Sequence, residues 1–285
     1  MLLKPSADAI HRLVRAALEE DAPWGDLTSQ TLVPASAQVN AQLVAREAGV
    51  LCGEDLFRAA MSLTDPAITT TFAHHDADHF AAGALLATVS GPARAILQAE
   101  RVALNFVQRV SGIATLTAQY VAAAAGTRAR IADTRKTTPG LRIIERYAVR
   151  CGGGVNHRFS LSDAVMIKDN HLAVLAANGV AGLTKAVAEM RAGLPHTTHI
   201  EIEVDRPDQI EGVLAAGPDT ILLDNFTTNQ LHAAVRQIAG RALVEASGGI
   251  SLSRIPEIAG TEVDIISVGA LTHSARTLDL ALDIL

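Results

Sequence analysis

The 285-residue sequence is poor in aromatic residues and lacks any long apolar run. Aromatic residues make up 3% of the chain, so a stacking platform for nucleic-acid bases, which needs exposed rings, is not expected. The formal net charge of −6 also excludes the broadly basic surface of a DNA-binding protein. No apolar run reaches the length of a membrane span. We therefore expect neither nucleic acid nor a membrane among the partners.

Cysteine is scarce as well. The two cysteines, Cys52 and Cys151, form neither a CxxC pair nor a disulfide framework, which is typical of a reducing compartment. The N-terminal residues pass directly into an amphipathic pattern, without the apolar centre of a secretory signal. These features predict a cytoplasmic protein.

The sequence does have a large apolar fraction and one concentrated basic segment. Hydrophobic residues make up 49% of the chain, enough for a sizeable core of Ala, Leu, Val and Ile. Residues 128–168 contain nine Arg or Lys and three acidic residues, although the chain as a whole is acidic. A local excess of positive charge in an acidic protein indicates a pocket for a small polyanion.

The first half of the sequence predicts a helix, a small sheet and a long helix. Ser6 is a suitable N-cap for a helix with apolar residues at helical spacing. Short alternating runs between Val39 and Val89 predict strands. Pro92 then opens a helical stretch to about Ala125, with an expected break near Ser111-Gly112.

The second half alternates apolar runs with helical segments, which predicts a parallel barrel or a doubly wound sheet. In a barrel, the residues that follow each strand meet at one mouth, where catalytic groups collect. Polar residues also mark ordinary strand ends, but complementary chemistry at six ends favours a site. The six apolar runs are Ala129–Ala132, Ala164–Ile167, His199–Val204, Thr220–Leu223, Leu243–Ala246 and Ile265–Val268.

Several cations stand at turns and strand ends, where fixed neighbours are available. Arginine suits bidentate recognition of a carboxylate, and lysine suits point contact with phosphate or carboxylate. The alternative is that these cations are solvated surface charges, as we expect for Arg142, Arg146 and Arg150 on their helix. The cations favoured for a site are Arg135, Lys136, His157, Arg158 and Lys168.

Two acids near the ends of successive runs, Glu203 and Asp224, predict a Mg²⁺ site shared with substrate phosphate, with structural capping as the alternative. Glu201 lies on the same strand face as Glu203, and spacing does not decide which of them faces the ligand. Glycines after two late runs, at Ser247-Gly248-Gly249 and at Gly269, would let backbone N–H groups approach a phosphate.

Three other features have a less specific chemistry. Lys168 at a strand end is also a candidate for Schiff-base formation, as in aldolases. The segment 74–79 contains three histidines and Asp76 at spacings seen in metal sites, but we favour a solvated loop. Cys151 is expected to be a small core residue and not a nucleophile.

Three long motifs, at residues 133–142 (DTRKTTPGLR), 152–158 (GGGVNHR) and 167–171 (IKDNH), resemble the quinolinate phosphoribosyltransferase family. Shorter matches extend the resemblance in order over nearly the whole chain. It implies an α/β fold with an N-terminal α/β sandwich domain, residues 1–115, and an incomplete parallel α/β barrel, residues 116–285, whose last helix is a candidate to pack on the first domain. It also implies a homodimer with shared active sites.

The resemblance implies a role for each site residue. Quinolinate would be bound by Arg135, His157, Arg158 and Lys168, with Arg101 supplied by the partner subunit. Phosphoribosyl pyrophosphate and Mg²⁺ would be bound by Lys136, Glu203 and Asp224, and the two acids would hold the metal. The catalytic set would be Lys136, Lys168, Glu203 and Asp224. The 5′-phosphate would meet Ser247, Gly248, Gly249, Gly269 and His273.

The implied activity is phosphoribosyl transfer to quinolinate with loss of CO₂, which yields nicotinate mononucleotide for NAD synthesis. Three alternatives remain open from the sequence. They are a related transferase for another pyridine acid, a Schiff-base aldolase, and an anion-binding protein without catalytic activity.

Overall fold

The computed structural model describes residues 2–168, 170, 171, 174 and 179–285, and Asp169 of the third motif lies outside them. Contacts group the chain into two compact units. The first holds the chain up to Ala118, together with Thr137–Gly153 and Leu271–Leu285. The second holds Gln119–Lys136 and Gly154–Ala270. Two late segments of the sequence thus group with the N-terminal residues.

The described residues form strands and helices that alternate along the second half of the chain. The strands are β1 (Gln38–Ala45), β2 (Gly49–Val50), β3 (Thr69–Phe72), β4 (His79–Phe80), β5 (Leu85–Pro92), β6 (Arg130–Ala132), β7 (Val165–Ile167), β8 (Ile200–Val204), β9 (Thr220–Asp224), β10 (Leu243–Ser247), β11 (Ile265–Ser267) and β12 (Leu280–Ile284). The helices are α1 (Ala7–Asp21), α2 (Leu27–Leu32), α3 (Glu54–Thr64), α4 (Ala93–Ala123), α5 (Arg142–Cys151), α6 (Gly179–Gly193), α7 (Ile210–Ala215), α8 (Thr228–Ile238), α9 (Ile255–Ala259) and α10 (Ala270–His273).

The first unit is an α/β structure built on a four-stranded antiparallel sheet in the order β12-β1-β5-β3. A separate ribbon pairs β2 with β4. The chain ends in a strand, where the sequence suggested a helix, because β12 extends the sheet by pairing Ala45 with Leu280 and Ala41 with Ile284. The predicted division after residue 115 falls within α4.

The predicted N-terminal helix is confirmed as α1. The Ser6 Oγ accepts a hydrogen bond from the Ala9 N–H at 3.3 Å, and so satisfies one of the donors that a helix start leaves open. Ile10 and Val14 are buried on one face. This burial is the main source of stability for such a helix, because propensity alone contributes little at 15 residues.

The predicted break in the long helix is wrong, since α4 runs without interruption through Ser111 and Gly112. The Ser111 Oγ accepts from the Cys52 N–H and donates to the Cys52 carbonyl, both at 3.0 Å. A side chain on Gly112 would collide with the Arg276 carbonyl. Both residues therefore serve packing within the first unit and do not end the helix.

Close packing also explains the first glycine of the GGG motif. A Cβ at Gly152 would overlap the Ala114 carbonyl and lie 2.6 Å from the Thr117 Cβ, both on α4. We expect Gly152→Ala to lower the free energy of unfolding by about 1–3 kcal/mol, measured by urea denaturation. Gly193→Ala is the control, because a Cβ there meets nothing within 4 Å. If Gly152→Ala were as stable as Gly193→Ala, α4 would be able to shift and accommodate the added methyl group at this contact.

The 74–79 segment caps a helix that the sequence did not reveal, α3. Asp76 accepts hydrogen bonds from the Gly53 and Glu54 N–H groups at 2.8 and 3.1 Å, and from the Tyr147 hydroxyl at 2.8 Å. Burial raises the pKa of Asp76, so the expectation of a solvated loop is wrong for this residue. His75 pairs with Glu54, whereas the His74 ring faces the Leu85 carbonyl.

The second unit contains the predicted incomplete barrel. Six parallel strands lie in the order β6-β11-β10-β9-β8-β7. Each coincides with a predicted apolar run to within one residue at either end. As in a barrel, the first of the six strands, β6, pairs with the last, β11. Among the described residues, the ring of strands is open between β6 and β7. Val155 forms an isolated parallel bridge with Ala132 at the free edge of β6.

Two expectations about side chains have different outcomes. Cys151 is 5% exposed and packs in the core, as predicted. Arg146 is only 7% exposed, so the prediction that it is solvated is wrong, because α5 buries residues on most of its circumference.

No helix within the described ranges is both long enough and apolar enough to span a membrane.

Candidate active site

A cavity of about 360 Å³ lies at the carboxyl-terminal edge of the six-stranded sheet, within the second unit. Its size is in the range of small-molecule sites. Because all six strands are parallel, the residues that end them face the same edge. The predicted site residues that line it are Arg135, Lys136, His157, Arg158, Lys168, Glu203, Asp224 and Ser247.

Five lining residues were not predicted from the sequence. Met166 and Leu222 are apolar residues inside β7 and β9, and Ser267 ends β11. Thr134 precedes Arg135, and Glu245 lies within β10. A charged residue inside an apolar run was the available signal for Glu245, because a strand buried on both faces rarely carries one.

Two guanidinium groups lie close together in the cavity. Burial, and then the positive charge of Arg135, lower the pKa of Arg158 from its ordinary value. The Arg158 Nη1 donates to the Ala164 carbonyl at 3.0 Å. The Arg135 Nε is buried without a hydrogen-bond partner among the described residues. Two neighbouring cations, one with an unused buried donor, form an arrangement that a bound carboxylate would stabilise.

Opposite charges meet on two neighbouring strands. The Lys168 Nζ lies 2.5 Å from a Glu203 carboxylate oxygen, although the lysine side chain remains 45% exposed. Asp224, at the end of the next strand, accepts a hydrogen bond from the Asn225 amide at 2.8 Å. Glu203 and Asp224 thus offer carboxylate oxygens at one edge, which is the donor type that Mg²⁺ prefers. The residues present therefore fit a magnesium ion.

Glu201 has a different environment from Glu203, and only Glu203 lines the cavity. Glu201 is 4% exposed, and its carboxylate lies 3.0 Å from the His157 Nε2. Glu245 is 2% exposed, and its carboxylate lies 3.5 Å from the same nitrogen. Glu203 lines the cavity, and Glu201 does not.

The shared environment of the His157, Glu201 and Glu245 cluster shifts the pKa of both Glu201 and His157 from the ordinary values. Burial raises the pKa of Glu201 to about 6, against the hydrogen bond from His157, which lowers it. Burial lowers the pKa of His157, but the hydrogen bonds to the Glu201 and Glu245 carboxylates and their negative charges together raise it.

The hydrogen bond to the His157 Nδ1 shows which ring nitrogen carries the hydrogen. This nitrogen accepts the Arg158 N–H at 2.8 Å, so it uses its lone pair and carries no hydrogen. The ring hydrogen is then on Nε2, directed at Glu201. The three ligand atoms lie within 4.8 Å of one another, but an Nε2–H has no lone pair for a cation. The cluster is therefore a hydrogen-bonded group and not a metal site.

The predicted phosphate segment is a sharp turn after β10. Gly248 and Gly249 have φ angles of 92° and 57°, in the left-handed region that favours glycine. A Cβ at Gly248 would lie 2.7 Å from the Asn225 backbone nitrogen. Gly269 follows β11 and precedes α10. The turn thus exposes backbone at the same edge as the cavity.

Two predicted site residues belong to the first unit and do not line this cavity. Arg101 lies exposed on α4, and His273 lies exposed at the end of α10, where its ring contacts the Ser274 hydroxyl at 2.6 Å.

Fold and site together define an α/β-barrel protein with a pocket for small anions at its strand ends. Comparison with known proteins gives the family. Residues 26–111 match the model for the quinolinate phosphoribosyl transferase N-terminal domain, and residues 113–283 match the model for the C-terminal domain. The chain belongs to the quinolinate phosphoribosyltransferase family, which confirms the resemblance seen in the motifs.

Individual relatives match over all or nearly all of their length. The nicotinate-nucleotide pyrophosphorylase [carboxylating] of Mycobacterium leprae is 44% identical, with all of both chains covered. A probable nicotinate-nucleotide pyrophosphorylase [carboxylating] of Bacillus subtilis is 39% identical, over 96% of this chain and 93% of its own. The structure of the nicotinate-nucleotide pyrophosphorylase from Francisella tularensis has a TM-score of 0.93 at 38% identity, and covers 100% of this chain and 99% of its own.

Proposed function

We propose that this site transfers the phosphoribosyl group of phosphoribosyl pyrophosphate to the ring nitrogen of quinolinate, with loss of CO₂, to give nicotinate mononucleotide and pyrophosphate. The observation that carries the proposal is the single cavity that presents Arg135 and Arg158 together with Glu203 and Asp224. One substrate is a diacid, and the other is a polyanion that is bound with a divalent cation.

The cationic side of the cavity suits the diacid. The Arg135 and Arg158 guanidinium groups repel one another, and a carboxylate between them would relieve that repulsion. The Arg135 Nε has no hydrogen-bond partner within the described ranges, so a substrate carboxylate could accept from it without displacing another group. Lys168 also lines this cavity and would bind the second carboxylate.

The acidic side suits the sugar diphosphate. Glu203 and Asp224 would hold Mg²⁺, which neutralises charge on the departing pyrophosphate when it is bound. Lys136 lines the same cavity and would contact the diphosphate. The turn at Gly248 and Gly249 would donate backbone N–H groups to the 5′-phosphate.

In this reaction, the protein mainly positions the two substrates and stabilises their negative charge. As the bond from C1 of ribose to pyrophosphate breaks, C1 gains oxocarbenium character and the pyridine nitrogen donates its electron pair to it. The resulting pyridinium withdraws electrons, so the C2 carboxylate leaves as CO₂ and its bonding pair remains at C2. A proton then replaces the lost CO₂. Both ring nitrogens of His157 are already engaged, which argues against this residue as the proton donor. Fixed cations around the anionic groups lower the barrier without a covalent intermediate.

The products test the proposal directly. Quinolinate labelled with ¹³C in its C2 carboxylate, with phosphoribosyl pyrophosphate and Mg²⁺, should yield labelled CO₂ and unlabelled nicotinate mononucleotide by mass spectrometry. Nicotinate in the same assay should give no CO₂ and little product. Efficient use of nicotinate would favour the related transferase, and binding without turnover would favour a non-catalytic protein. The Lys168 to Glu203 ion pair and the family leave the aldolase without support.

We also propose a homodimer in which Arg101 of one subunit completes the site of the other. Arg101 is exposed on α4 of the first unit, and the same unit exposes the apolar side chains of Trp24, Leu27 and Leu32. Apolar side chains exposed in this number are typical of a surface that a partner covers. The free, buried cysteines support a cytoplasmic location.

Subunit mixing tests the shared site. Arg101→Ala and Arg158→Ala are each expected to be nearly inactive alone. If sites are shared, a random mixture after dissociation and reassociation should regain about a quarter of wild-type activity, because half of the dimers carry one intact site of two. Activity in the mixture equal to the mean of the two variants would show that each subunit builds its site alone.

A further inference from the structure

Three buried acids lie on, or directly after, strands at the cavity, and the proposed reaction uses none of them. Asp133 has no exposed surface, Glu245 is 2% exposed and Glu201 is 4% exposed. A buried carboxylate is costly unless hydrogen bonds compensate it. Their hydrogen-bond partners therefore indicate what these residues do.

Asp133 holds the segment that follows the triple glycine. Its Oδ1 accepts the His157 backbone N–H at 2.8 Å, and its Oδ2 accepts the Asn156 side-chain amide at 2.6 Å. The Asp133 N–H donates in turn to the Val155 carbonyl at 3.2 Å. One carboxylate thus fixes two successive residues of this segment relative to the end of β6.

Glu201 holds the same segment through the His157 ring. Its carboxylate accepts from the His157 Nε2, 3.0 Å away, and this contact sets which ring nitrogen carries the hydrogen. The Nδ1 is then free of hydrogen and accepts the Arg158 N–H at 2.8 Å. The orientation of the peptide between His157 and Arg158 therefore depends on the Glu201 carboxylate.

The hydrogen-bonded series ends at a residue that faces the cavity. Arg158 lines the cavity, and its Nη1 reaches back to the Ala164 carbonyl at 3.0 Å. Its backbone is fixed from the His157 ring, and the His157 backbone is fixed from Asp133. Two buried acids on different strands, β8 for Glu201 and the end of β6 for Asp133, converge on one arginine.

We propose that Asp133 and Glu201 are positioning residues, which fix His157 by its backbone and its ring and thereby direct the Arg158 guanidinium at a substrate carboxylate. This inference rests on the proposed function for the identity of the substrate. The hydrogen-bond pattern itself does not depend on that identity. Residues that orient a ligand-contacting group through hydrogen bonds typically change affinity or activity by about 10- to 100-fold when they are altered.

Exchanging the two side chains of the contact between Asp133 and Asn156 tests the positioning role of Asp133. Asp133→Asn keeps an acceptor for the His157 N–H but sets two amide N–H groups against each other at Asn156. We expect it to raise KM for quinolinate by about 10- to 100-fold and to change KM for phosphoribosyl pyrophosphate by less than about threefold. The double variant D133N/N156D restores one donor and one acceptor to this contact, and its KM for quinolinate should return to within about fivefold of wild type.

The matched control is Asp219→Asn. Asp219 also accepts a backbone N–H, that of Ile200 at 2.7 Å, but at the opposite edge of the sheet, and both KM values should remain unchanged. A double variant no better than D133N, or equal rises in both KM values for D133N, would overturn the role of Asp133 as a positioning residue. Such results would indicate a requirement for the charge at this position or a general loss of structure.

The Glu201 part has a readout that needs no turnover. In ¹⁵N-histidine-labelled protein, the His157 Nε2 should carry a hydrogen that is bonded to a carboxylate. Glu201→Gln retains an acceptor and should preserve that hydrogen bond, whereas Glu201→Leu should weaken it. A wild-type Nε2 without a hydrogen, or an Nε2–H signal that is the same in wild type and in Glu201→Leu, would overturn this part. A wild-type protein with the expected ring form but no turnover of quinolinate would refute the proposed function only.

Discussion

Arg158→Ala is expected to lower kcat/KM for quinolinate by about 30- to 1000-fold, which corresponds to about 2–4 kcal/mol of lost transition-state binding. The Arg158 guanidinium lies in the cavity beside Arg135, and burial together with that neighbouring charge lowers its pKa. A dianionic substrate would lose one of the two arginines that we propose bind its carboxylate. The measurement is the initial rate of nicotinate mononucleotide formation at varied quinolinate.

The control for this variant is Arg191→Ala. Arg191 pairs with Asp219 at the other edge of the sheet, so its loss should leave kcat/KM within about twofold of wild type. Arg135→Ala should resemble Arg158→Ala, because both residues line the same cavity. If both cavity variants retained near-normal kcat/KM, the carboxylate would be bound by other groups.

Asp224→Asn is expected to lower kcat/KM for phosphoribosyl pyrophosphate by about 100-fold and to raise the Mg²⁺ concentration for half-maximal activity. An amide supplies a neutral oxygen in place of a charged one, and Mg²⁺ binds neutral oxygen more weakly. Glu203→Gln should act in the same direction, and it also removes the charged partner of Lys168. The measurement is a series of steady-state rates at varied Mg²⁺ with quinolinate saturating.

Selectivity between the two substrates separates this effect from damage to the fold. Asp224→Asn should change KM for quinolinate by less than about threefold. Asp264→Asn alters an acid that accepts the Val244 N–H at 2.9 Å at the amino-terminal edge of the sheet, and it should leave the Mg²⁺ dependence unchanged. An unaltered Mg²⁺ dependence in both Asp224→Asn and Glu203→Gln would exclude these acids as the metal ligands.

The sequence predicted the barrel strands well because their pattern is local. A strand such as Ile221-Leu222-Leu223 is buried on both faces, so it appears as an uninterrupted apolar run. The parallel arrangement then places Lys168 and Asp224 at one edge without further information. Fold class and much of the cavity lining follow from these two facts.

The features that sequence reasoning missed depend on partners distant in the chain. The start of α3 is capped by Asp76, 22 residues away, so its own first turn shows no N-cap side chain. The expected break at Gly112 fails because that residue packs against the backbone of Arg276. Neither contact leaves a periodic trace in the sequence.

The role of Glu201 was left open by the sequence for a related reason. Glu201 and Glu203 lie on the same face of β8, and they differ only in their depth along the strand. The deeper one meets His157, and the shallower one meets Lys168 at the cavity. Depth in a barrel depends on strand register, which the sequence of one strand does not specify.

The most direct test of the central claim is a crystal structure of the protein with quinolinate and an unreactive analogue of phosphoribosyl pyrophosphate with Mg²⁺. Our account predicts one quinolinate carboxylate in hydrogen-bond contact with Arg135 and Arg158, and the metal bound by Glu203 and Asp224 in the same cavity. The ring nitrogen should face C1 of the ribose. Quinolinate bound away from these arginines, or a metal bound elsewhere, would contradict it.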